Sequence, residues 1–110
     1  RAPDPACNPY LAFSVMLAAG LEGIENRYPL PPASQTSVFE MTDEERNEAG
    51  VETLPRSLGE AIALTEQSTL VRKALGSHVF ESFIHNKKVE WERYNVQVTD
   101  YEIEEYLARL

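Results

Sequence analysis

Cysteine is nearly absent: Cys7 is the only one in 110 residues. One thiol cannot close an internal disulfide, so the chain reads as a cytosolic protein. No base stands near Cys7 in sequence to make it a nucleophile, and a small buried hydrophobe is the reading it supports. Positive charge is also scarce, with 10 Lys and Arg against 18 Asp and Glu, a net charge of −8 and a pI near 4.7. Nucleic-acid binding and adhesion to anionic membranes both want clustered Lys and Arg, so both are excluded as functions. Long apolar runs are missing. The longest, from Leu11 to Leu21, covers eleven residues, where a membrane-spanning helix needs about 20. A signal peptide would carry a basic start and a small-residue cleavage site, and here Asp4 and three prolines stand close by instead. The chain begins at Arg1 and not at Met, which suggests a processed chain or a piece of something longer.

The motifs of common chemistry are absent too. Gly20-Leu21-Glu22-Gly23 lacks the third glycine of a phosphate loop and falls inside a helical pattern. There is no nucleophile elbow, no Cys/His pair and no CxxC. Period-two alternation gives no strand, and neither repeats nor low-complexity runs occur.

What remains is a string of helix signals. Asn8-Pro9 predicts a helix start, since Asn8 can cap and Pro9 suits the first position. That helix should run over about 9–26. It is apolar on nearly every face and should be buried all round, yet 110 residues can hardly surround it. Pro29-Leu30-Pro31-Pro32 ends it, and an irregular connection follows. Thr42 with Glu45 is a capping box opening a helix over about 43–49, stopped by Gly50. The acids Asp43, Glu44, Glu45 and Glu48 then suit a helix start and need no metal to explain them. Ser57 with Glu60 opens 58–67, and Ser68 opens 69–75, ended by Gly76. Ser77 is expected to cap the longest helix, 78–97, with Phe80, Ile84, Trp91, Tyr94 and Val98 along one side. Thr99 opens 100–109, with Tyr101, Ile103, Tyr106, Leu107 and Leu110 apolar. The expected class is mainly α.

Two constellations are candidates for chemistry. His78, Glu81 and His85 share one helix face, but the two histidines stand two turns apart, roughly 10 Å. That is long for two ligands of one ion, and helical zinc sites space histidines at i and i+4. Lys87-Lys88 beside Asn86 could touch a phosphate, although an isolated Lys pair is ordinarily solvated.

The stretch Arg1-Ala2-Pro3-Asp4-Pro5-Ala6-Cys7-Asn8-Pro9-Tyr10-Leu11-Ala12-Phe13, followed by Ala18-Ala19-Gly20-Leu21-Glu22-Gly23-Ile24, closely resembles the C-terminal part of the catalytic domain of bacterial type I glutamine synthetase. Leu54-Pro55, Ala74-Leu75-Gly76 with His78, Lys87 with Glu90-Trp91, and Val98-Thr99 with Tyr101-Glu102 continue it over residues 1–110. The resemblance implies the helical C-terminal segment of an α/β catalytic domain. The implied activity is an ATP-dependent ligase joining ammonia to glutamate through a γ-glutamyl phosphate, with magnesium or manganese assisting. It matches Arg1 to the family arginine that binds glutamate, a task suited to a bidentate guanidinium. It places no catalytic residue, metal ligand or nucleotide contact within these residues. One metal-ligand Glu belongs two positions before Arg1. It implies a cytoplasmic homo-oligomer of two stacked six-membered rings, the last helix reaching into the facing ring. The apolar first helix would pack under an active-site sheet whose strands are not in this sequence. The fragment alone should be inactive. Two positions depart from the pattern. Cys7 replaces a small alanine, and Phe39 stands where adenylylated members carry tyrosine, so it lacks the hydroxyl which that regulation needs. Two other readings stay open at this point: a free-standing helical interaction module, and a γ-glutamyl ligase acting on another amine.

Overall fold

A computed structural model describes residues 3–31, 33 and 37–109, with Ala108 described by its backbone alone. The architecture is mainly helical, with no strand among the described residues. The helices are α1 Pro9–Glu25, α2 Asp43–Glu48, α3 Leu58–Gln67, α4 Thr69–Leu75, α5 Ser77–Asn95 and α6 Asp100–Tyr106, the last running into a 3₁₀ turn, Leu107–Arg109. Residues 1–56 and 57–110 form two compact units.

In the first unit, Asn8 Oδ1 accepts the N–H groups of Tyr10 and Leu11 at 3.0 and 3.3 Å, which starts α1. Its far end closes as a Schellman turn. Tyr28 N–H donates to the Gly23 carbonyl at 3.0 Å and Arg27 N–H to that of Ile24 at 3.2 Å. Arg27 takes the left-handed residue of that turn, at φ 53°. At α2 the capping box forms in full: Thr42 N–H donates to Glu45 Oε2 at 2.7 Å, and Glu45 N–H to Thr42 Oγ1 at 3.2 Å. Arg46 then ties the helix to its approach. It donates to Asp43 Oδ1 at 3.2 Å and to the Met41 carbonyl at 2.7 Å.

In the second unit α3 and α4 both pack on α5. Its core is small: Ile62, Phe80 and Ile84 are the buried apolar side chains, and Phe80 is the most enclosed. The Arg72 guanidinium lies 4.1 Å from the Phe80 ring centroid and pairs with Glu81 at 3.5 Å. Lys88 on α5 reaches Glu66 on α3 at 2.6 Å. Trp91 and Tyr94 stack with centroids 5.9 Å apart.

One cap differs from the expectation. Ser77 is the first residue inside α5 and makes no capping bond; Gly76 holds the cap position at φ 73°. The reason is that Gly76 also ends α4, donating its N–H to the Arg72 carbonyl. One left-handed residue thus serves two helix ends, and no room is left for a separate cap. The same helix ends at Asn95, two residues before the predicted Gln97, with Gln97 N–H turned back to the Tyr94 carbonyl at 3.1 Å.

Candidate functional site

Arg1, matched by resemblance to a glutamate-binding arginine, lies outside the described residues. The segment after it is described. Asp4 closes a tight turn there: its Oδ1 accepts the Ala6 N–H at 2.8 Å, and its carbonyl accepts the Cys7 N–H at 3.0 Å. Pro3 and Pro5 flank it and fix φ on both sides. The Asn8 cap follows at once, so the chain from Pro3 into α1 has few free torsions. Cys7 sits within this turn, half-buried and unpaired. The signal for this turn in the sequence is an Asx residue set between two prolines.

α1 carries this turn and presents a broad apolar surface. None of its residues is fully buried. Phe13, Met16, Leu17 and Ile24 are all more than half exposed. The sequence reading expected full burial, and the described residues of this chain do not provide the cover. The physical reason is supply: the first unit has no buried apolar side chain among its described residues, so it builds no core of its own for α1 to pack on.

His78, Glu81 and His85 are all exposed on α5, and no group of three His, Cys, Asp or Glu comes together for a metal among the described residues. Glu81 instead meets Arg72. Both lysines of the Lys87-Lys88 pair are engaged in ion pairs, Lys87 with Glu90 at 2.6 Å and Lys88 with Glu66. Phe39 stands at the turn Ser37–Glu40, fully presented at 99% exposure.

α6 and the 3₁₀ turn after it also leave large side chains exposed, Tyr101, Ile103 and Tyr106 on α6 and Leu107 in the turn. The start of α6 is a second capping box. Glu102 Oε2 accepts the Thr99 N–H and the Thr99 hydroxyl, both at 2.8 Å. These bonds hold the Glu102 carboxyl below its ordinary value, the backbone N–H contributing most. No described helix is long and apolar enough to cross a membrane.

The sequence comparisons bear on the same residues. The family model described as glutamine synthetase, catalytic domain, matches residues 1–106. A glutamine synthetase of Mycolicibacterium smegmatis is 52% identical over 108 residues, which is 98% of this chain and 24% of the relative. One from Mycobacterium tuberculosis is 50% identical over the same span and coverage. One from Methanosarcina mazei is 46% identical over 110 residues, all of this chain and 25% of that protein. The chain therefore spans about a quarter of the length of the curated relatives it matches.

Proposed function

Because this chain belongs to the glutamine synthetase catalytic-domain family, we propose that it is the C-terminal segment of an ATP-dependent glutamate–ammonia ligase of bacterial type I. The observation that carries this is the family match over residues 1–106 together with 52% identity to a glutamine synthetase. In the proposed reaction the glutamate side-chain carboxylate takes the γ-phosphoryl group of ATP, releasing ADP. Ammonia then attacks the acyl carbon, phosphate leaves, and a proton is lost to give glutamine. Arg1 is assigned to bind the glutamate substrate, as the resemblance implies.

The remaining machinery is assigned to residues before Arg1. The resemblance assigns magnesium or manganese and the nucleotide phosphates to that upstream region. The exposed apolar surfaces of α1 and α6 support a chain built to be covered. In this reading α1 packs under the active-site sheet, and α6 reaches across a double-ring homo-oligomer. Phe39 offers no hydroxyl for nucleotidylation, and that control is absent from this reading. The enzyme is placed in the cytoplasm.

The test is a γ-glutamyl hydroxamate assay with glutamate, ATP and hydroxylamine. A polypeptide carrying this chain behind its upstream region should give product, and residues 1–110 alone should give none. Turnover by the isolated 110 residues would overturn the fragment reading. Ammonia failing where another amine succeeds would reassign the enzyme to a different γ-glutamyl ligation.

A further inference from the structure

We draw no further inference here: the strongest candidate, the exposed apolar surface of α1 formed by Phe13, Met16, Leu17 and Ile24, carries nothing beyond the packing already proposed for it, because nothing in the structure shows what covers it.

Discussion

Gly59 on α3 lies flat against the indole of Trp91 on α5. A Cβ built on Gly59 would stand 2.9 Å from Trp91 Nε1 and Cε2 and 3.0 Å from Cζ2. Real Cβ atoms do not approach a ring that closely, so the indole can sit this close to α3 at residue 59 only because that residue has no side chain.

Substituting Gly59→Ala sets two effects against each other. Helix propensity favours Ala by about 1 kcal/mol. Overpacking against a ring costs about 1–3 kcal/mol. Packing should win, and thermal unfolding followed by circular dichroism should show a lower Tm. In a Trp91→Ala background the sign should reverse, since the obstacle is gone and the propensity gain remains. Additive effects of the two changes would show that the contact does not matter.

Arg27 is the one described non-glycine residue at positive φ. An L-residue there carries strain of about 1–2 kcal/mol, partly offset because glycine would loosen the unfolded chain. Arg27→Gly should stabilise the end of α1 by roughly 0.5–1 kcal/mol. Slower amide exchange at Asn26, Arg27 and Tyr28 would register it. Faster exchange would mean that the arginine side chain contributes more than the strain costs.

The α6 capping box should respond to acid. Glu102 is held below its ordinary value of 4.5 by the Thr99 N–H and hydroxyl. Its folded pKa is therefore depressed, so its contribution is complete above the ordinary glutamate range and disappears as pH falls through the lowered value. Proton NMR of the α6 amides should show the helix start fraying over that window. Thr99→Val should return Glu102 toward its ordinary value and move the fraying to higher pH. An α6 indifferent to acid would contradict the assignment.

Residues 1–110 prepared alone should self-associate through α1. Phe13 and Leu17 are 66% and 65% exposed, and burying either side chain is worth about 1.5–3 kcal/mol. Sedimentation velocity should show concentration-dependent oligomers. A double change, Phe13→Lys with Leu17→Lys, should shift the distribution to monomer. A clean monomer for the unaltered chain would remove this interpretation of the apolar surface.

Helix starts were legible from the sequence because each is a local exchange. Asn8, Thr42, Ser57, Ser68 and Thr99 accept backbone N–H groups two or three residues on. Ser77 misled because Gly76 already ends α4 and starts α5, a sharing visible only once both helices are placed. The candidate site was legible only through resemblance, since Arg1 has no local signature of glutamate binding. The hydrogen bonds of the Asp4 turn were not legible from periodicity, because they make no helix.

The sequence by itself determined the mainly helical class, the helix starts and the family likeness, because these depend on residues within a few positions of each other or on a long ordered match. Only the tertiary structure decided which apolar residues become core. Phe80 and Ile84 are enclosed on α5, while Tyr94 on the same helix is 61% exposed and the whole of α1 lacks a fully buried residue. Periodicity marks a face as apolar without stating what covers it. Burial requires a partner surface, and among the described residues α3 and α4 supply one to α5, while the exposed faces of α1 and α6 have none comparable.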